Sequence, residues 1–423
     1  MKKNFYALAL AFLGLTSAAS AQGLHATFEK ALPPPGRSCG AMEVLQAQLA
    51  ADPSLGQRMA AVEAQTRAFS ANAAANRTTA GVVTIPVVVH VVYNTAAENV
   101  PTSQITAQLN VLNQDFAKTN ADASLIPTAF AGLAANTNVQ FVLAKRDPNG
   151  RATDGIIRKQ SKTRSWSTND AVKNSKRGGS DAWPATQYLN LWVCNLGNGL
   201  LGYAQFPGGA ASTDGVVVLY SSLPGGTAAP YNKGRTATHE VGHWLNLRHI
   251  WGDASCGNDL VSDTPTQQTA NYGCPSYPHV TCGNQGDMSM NYMDYTDDAC
   301  MYMFSTGQSN RMNALFAAGG ARASLTTSLG GTTLRQTAAV TTTLDAAAIH
   351  LYPNPATQTL NVTVPTERTA AWSVKVYDLL GYEMKQARYD GQSHVAVAGL
   401  PQGLYQVVIS DGQQTIRQRF QKD

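Results

Sequence analysis

The sequence predicts a mixed α/β (α+β) core, preceded by a helical N-terminal segment and followed by a small β-sandwich. Three observations carry this prediction. A β-branched run over Val82–Tyr93 is followed by a stretch of helical periodicity and then by further strands. Residues 321–348 are Thr, Ala, Gly and Ser with only Arg322, Arg335 and Asp345 charged, which is the composition of a linker. Beyond residue 349, short strands alternate with turn residues to the end of the chain. A length of 423 residues is more than one small module needs.

The elements follow in order. Residues 1–21 have the form of a secretory signal peptide: basic Lys2 and Lys3, an apolar stretch from Phe5 to Leu15, and small Ala19-Ser20-Ala21 as a cleavage site. Residues 22–76 form a separate pro-segment, with helical spacing from Met42 to Phe69 and a polar, cleavable link from Ala71 to Ala80. The core is expected over residues 77–320. Its first strand is Val82–Tyr93, in which Pro86 limits ladder pairing. Ser103 is placed to cap a helix running to Phe116 with Ile105, Leu109, Leu112 and Phe116 on one face. Val139–Lys145, Tyr188–Cys194 and Gly215–Tyr220 are further strands, and Gly199–Gln205 is a candidate edge strand. In residues 349–423, strands at Leu360–Val364, Trp372–Tyr377, His394–Val397, Tyr405–Ile409 and Thr415–Phe420 suggest a β-sandwich.

Charged residues make up 14% of the chain and the formal charge is +4, so there is no large basic face for nucleic acid. After the N-terminus, no apolar run reaches the roughly 18 residues of a membrane span. Export permits disulfides. Cys256, Cys274, Cys282 and Cys300 cluster without any CxxC pair, which favours two disulfides over a structural zinc site, whereas Cys39 and Cys194 stand apart.

The chemistry concentrates in His239–Asp253, HEVGHWLNLRHIWGD. A helix puts His239 and His243 one turn apart on one face, within reach of a single Zn²⁺. Glu240 then lies beside the metal without being a ligand. It is placed to take a proton from water and deliver it to a leaving amine. His249 reaches the same ion only if the helix ends before it. Asn246 is the residue to end it, because Asn tolerates the left-handed conformation of a helix C-terminus. Three histidines leave a fourth position open, as a catalytic rather than a structural site requires.

This stretch resembles the metzincin zinc motif, with Asn246 where most members have Gly, and Asn291-Tyr292-Met293-Asp294-Tyr295 resembles the methionine turn of that clan. Together with Arg248-His249, Asp263-Thr264-Pro265 and Cys300…Phe304…Gln308…Arg311-Met312, the pattern is most similar to the pappalysin family, over about residues 82–320. The resemblance implies a metzincin-like two-lobed endopeptidase domain with protein or peptide substrates. It also implies that Met293 supports the site and that Tyr295 stabilises the oxyanion. It pairs Cys256 with Cys282 and Cys274 with Cys300, and it implies a preference for Arg or Lys after the cleaved bond.

Seven acids between Asp253 and Asp298, with no Lys or Arg among them, need a counter-ion or a cationic partner. Hard oxygen ligands suit Ca²⁺, which the resemblance puts near Asp263. Cys39, in Arg37-Ser38-Cys39-Gly40, offers a thiolate that would fill the fourth zinc position and keep a precursor latent, as in a cysteine switch. Cleavage of Asn76-Arg77 would put Arg just after the cut, which makes self-activation plausible.

In the last segment, Leu351–Leu360, Tyr377–Gly381 and Leu400–Tyr405 resemble the type IX secretion sorting domain, implying that secretion machinery as a partner and a secreted or surface-attached product. The competing class is a surface-binding protein with a vestigial zinc site, against which the intact Glu240 argues.

Overall fold

The computed structural model describes residues 37–71, 81–333, 349–363, 373–410 and 415–423. The signal peptide, Asn76 and Arg77 lie outside the described residues. The chain forms two compact units that divide between Leu334 and Arg335.

In the first unit, two helices, α1 (Ala41–Ala51) and α2 (Leu55–Ala71), come from the segment read as helical and break at Asp52-Pro53. The apolar run forms β1 (Val83–Tyr93), the spine of a sheet. The parallel strands β2 (Val139–Leu143) and β3 (Ile156–Gln160) pair with its first and second halves. On its other side the order continues through β4 (Leu189–Cys194) and β6 (Val216–Leu219), both parallel, to the antiparallel edge strand β5 (Gly202–Ala204). Buried on both faces, β1 and β4 read as near-continuous hydrophobic runs, in which the buried polar residues His90 and Asn190 bond to each other. Helix α3 (Thr102–Phe116) lays Ile105, Leu109, Leu112 and Phe116 into the core, as its periodicity requires. Its cap is Pro101, and Ser103 lies inside the first turn; the fixed φ of Pro101 sets the chain entry where a side-chain cap was expected.

Two further helices define the site region: α4 (Arg235–Trp244), buried along its whole length, and α5 (Thr306–Ala314). Residues 321–333, read from composition as linker, pack on this first unit instead. Arg322 pairs with both carboxylate oxygens of Asp214 at 3.1 Å and lies 3.6 Å over the Trp244 ring. Its Nε donates to the Trp244 carbonyl at 3.0 Å, so this tail ties down the end of α4. One charged residue with a distant partner outweighs the polar composition around it.

The second unit has a four-stranded and a three-stranded antiparallel sheet. They share one core, including Leu360, Val376, Val395, Val407, Ile409 and Phe420, which is the expected sandwich. All five expected strands are present with ends within two residues of those expected, and the expected ends Val364 and Trp372 lie outside the described residues.

Candidate active site

Helix α4 begins after Gly234, whose φ of 88° only glycine adopts readily, and carries His239, Glu240 and His243 into the core. It ends as the sequence requires. Asn246 has φ 70°; its amide donates to the His243 carbonyl and that of Leu247 to Gly242, both at 2.9 Å. This left-handed C-terminal motif reverses the chain and returns His249 to the helix face.

The three Nε2 atoms converge, with His243 at 3.1 Å from both His239 and His249. Each ring is oriented from behind through Nδ1: His239 to the Tyr292 carbonyl at 2.7 Å, His243 to the Leu247 carbonyl at 2.8 Å, and His249 to Asp253 at 2.5 Å. With Nδ1–H given to an oxygen, each Nε2 presents a lone pair to the centre. Burial first, then neighbouring imidazoles, keeps the His239 and His243 pKa values well below the usual histidine range, so both rings are neutral, the form a metal needs. The ligand atoms of Cys39, His239, His243 and His249 all lie within 4.8 Å of one another, the only such group among the described residues. Three imidazoles and a thiol around one point fit a tetrahedral zinc ion.

Glu240 is buried beside this group, and burial raises its carboxyl to about 8. Its Oε2 is 3.4 Å from the Cys39 thiol. Burial and the Glu240 charge push the thiol up, so without a metal it donates to Glu240. The Tyr295 hydroxyl is 3.1 Å from His249 Nε2, at the rim of the same centre.

Met293 lies beneath the helix. A Cβ on Gly242 would collide with its Sδ, so only glycine fits between the two histidines there. The methionine turn is fixed by the Asn291 side chain, which accepts from the Met293 amide at 2.9 Å and exchanges two hydrogen bonds with Gln308 of α5. The Met293 carbonyl accepts from Ile250, coupling this turn to the His249 loop.

Both disulfides implied by the resemblance, Cys256–Cys282 and Cys274–Cys300, are formed, and Cys194 is a buried thiol. Asp263 stands outside the histidine group. Its two carboxylate oxygens accept from the Ser305 hydroxyl at 2.6 Å and the Gly307 amide at 2.8 Å, at the N-terminus of α5. His90 is structural, stacked on Trp192 and bonded to Ser180 and Asn190.

The N-terminal segment crosses this site along the edge strand. Leu201 donates to the Ser38 carbonyl and Gly40 to the Gly202 carbonyl, each at 2.9 Å, so Cys39 pairs in parallel with Gly202. A Cβ on Gly202 would strike Glu240, and one on Gly40 would strike Thr168 at 2.7 Å. Two residues before the thiol, Arg37 enters a buried pocket. Its guanidinium pairs with Asp298, approaches Thr236 Oγ1 and the Thr296 carbonyl at 3.4 Å, and lies 5.1 Å over the Tyr231 ring. Asp298 also accepts from the Lys233 and Arg235 amides that open α4. Reading the sequence by motif missed Arg37, Asp298 and the orienting role of Asp253. The usable signals were a basic residue two before the thiol and an acid four after the third histidine.

Residues 172–317 match the family model described as pregnancy-associated plasma protein-A, and residues 350–423 match the secretion system C-terminal sorting domain. An extracellular metalloprotease of Arthroderma benhamiae is 35% identical over 254 residues, which are 58% of this chain and 81% of that protein. Mature mirolysin of Tannerella forsythia, solved with a cleaved peptide, is 52% identical with a TM-score of 0.57; the match covers 59% of this chain and 97% of that one. A promirolysin mutant from the same organism is 48% identical with a TM-score of 0.63, covering 69% of this chain and 97% of that one.

Proposed function

The chain belongs to the pappalysin family of extracellular metalloproteases, and from that premise we propose a zinc endopeptidase made as a latent precursor. The observation that carries the reading is the convergence of three oriented imidazoles and the Cys39 thiol beside a buried glutamate. His239, His243 and His249 would hold the ion. Zinc bound there would polarise a scissile carbonyl and acidify the attacking water.

The chain's own residues do the rest. Glu240 takes the proton from the water and returns it to the leaving amine. Tyr295 offers its hydroxyl to the developing oxyanion. Edge strand β5 presents Leu201 and Gly202, now paired with the N-terminal segment, to an extended substrate. Arg37 stands in for the substrate's basic side chain. We assign the pocket ending in Asp298 to the Arg or Lys following the scissile bond, because a dry carboxylate recognises a guanidinium far better than a neutral side chain.

Residues 22–76 act as the pro-segment, with Cys39 supplying the fourth ligand and so excluding the catalytic water. The promirolysin match spans about a tenth more of this chain than the mature one, which supports this reading. Cutting at Asn76-Arg77 would release the segment. The C-terminal module directs the protein out of the cell, through the type IX machinery in our reading. For calcium, the support is the acid-rich stretch between Asp253 and Asp298; an ion at Asp263 itself would have to displace the Ser305 and Gly307 donors.

The test is a peptide-library digest by the activated enzyme, with and without a zinc chelator. Cleavage before Arg or Lys that vanishes with chelator supports the reading. Cleavage indifferent to chelator, or none at all, overturns it.

A further inference from the structure

Helix α2 carries one carboxylate that reaches far across the fold. Glu63 Oε2 accepts from Arg311 Nη1 at 3.1 Å, Oε1 accepts from Arg311 Nη2, and Oε1 also accepts from Asn246 Nδ2 at 3.1 Å. Arg311 is held independently of Glu63. Its Nε and Nη2 donate to the Asn246 carbonyl at 3.2 and 3.1 Å, and Nη1 approaches the Leu260 carbonyl at 3.4 Å. The outward fork of the guanidinium is therefore set by α5 and the turn after α4, with no help from α2, and the Asn246 backbone beside it is fixed by the same turn. A planar fork plus one amide is a donor set matched to a carboxylate. The Arg311 side chain is 5% exposed and that of Glu63 17%, so the pair is shielded from screening. Burial alone would raise the Glu63 carboxyl, yet the Arg311 hydrogen bond and charge bring it below the ordinary range.

We propose that Arg311 and Asn246 form a preformed carboxylate-binding site of the catalytic unit, and that its ligand is the helix-borne Glu63. Through it the pro-segment stays docked after the link at 72–80 is cut, independently of Cys39. The inference rests on reading residues 37–71 as a pro-segment. Scission then does not by itself activate the enzyme; release of α2 from this site is a separate step. The site also reaches the metal-binding turn, because Glu63 grips Asn246 through its side chain while Arg311 grips its carbonyl.

The experiment uses full-length precursor carrying Glu240→Ala, to prevent self-processing, and a site-specific protease sequence inserted between residues 72 and 80. After cutting, dissociation of the N-terminal fragment is followed by gel filtration over time. With Cys39→Ala alone the fragment should remain bound. Adding Glu63→Gln should speed its release about 10- to 100-fold, the worth of charged hydrogen bonds in a shielded site. Arg311→Lys, which keeps charge but breaks the fork, should do the same. Equal release rates with and without Glu63→Gln in the Cys39→Ala background would overturn the site. The pro-segment reading fails separately, if cut chain with native Glu240 gains no peptidase activity once its fragment is gone.

Discussion

Replacing Arg37 by Met keeps the bulk of the side chain in its pocket and removes the guanidinium. The lost contacts are the pair with Asp298, the approaches to Thr236 and Thr296 at 3.4 Å, and the stacking on Tyr231. Both partners of the ion pair are almost wholly buried, at 1% and 0% exposure. Breaking such a pair from one side costs about 3–5 kcal/mol. Asp298 keeps the Lys233 and Arg235 amides, at 2.8 and 3.2 Å, so the lower end applies. About 3 kcal/mol corresponds to a roughly 100-fold larger fraction of precursor with Arg37 and Cys39 out of the cleft. The assay is hydrolysis of a fluorogenic peptide with Arg after the scissile bond, using uncut precursor whose integrity is checked by N-terminal sequencing. Arg37→Met precursor should show activity well above wild type before any cut. A variant as silent as wild type, with equal melting temperature, would refute the idea that the Asp298 pocket latches the segment.

Asn246→Gly should leave zinc affinity of the activated enzyme near wild type, because glycine takes φ 70° freely. Asn246→Val should weaken it about 10-fold or more, since the left-handed cost falls on the turn that returns His249; equilibrium dialysis reads both. Asp298→Asn should lower the preference for Arg over Leu after the cleaved bond about 100-fold, as a ratio of kcat/KM values, while sparing the Leu substrate. Acid should loosen the pro-segment. Burial opposes the Glu63 charge, but Arg311, and more weakly Arg248, lowers its pKa in the docked state. Its contribution is thus complete above the ordinary carboxylate range and lost as pH falls through the docked value. Fragment release from cut Glu240→Ala precursor should accelerate below about pH 4.

The metal centre was legible because its information is local. His239, Glu240 and His243 lie on one helical face, and Asn246 carries its own backbone preference. The Met293 turn was legible by likeness to a known pattern, and its packing against Gly242 explains that likeness in steric terms. The α3 face, five of the six described strands of the first sheet and five of the seven described strands of the second unit followed from residue pattern. What escaped is long-range pairing. Arg37 meets Asp298 across 261 residues and Glu63 meets Arg311 across 248, and no periodicity encodes either contact. Strand β3, Ile156–Gln160, escaped because its two charged residues and its exposure mark an edge position rather than a core strand. Residues 321–333 escaped because a polar stretch is anchored by Arg322 to Asp214 and Trp244, partners that only the fold supplies.

The central claim is that three histidines hold zinc while Glu240, which is not a ligand, moves the proton. Its most direct test is to measure zinc content and peptide turnover together on activated Glu240→Ala enzyme. The account predicts one zinc per chain, as in wild type, with turnover reduced about 10²- to 10⁴-fold. Near-normal turnover, or loss of the metal together with the activity, would contradict it.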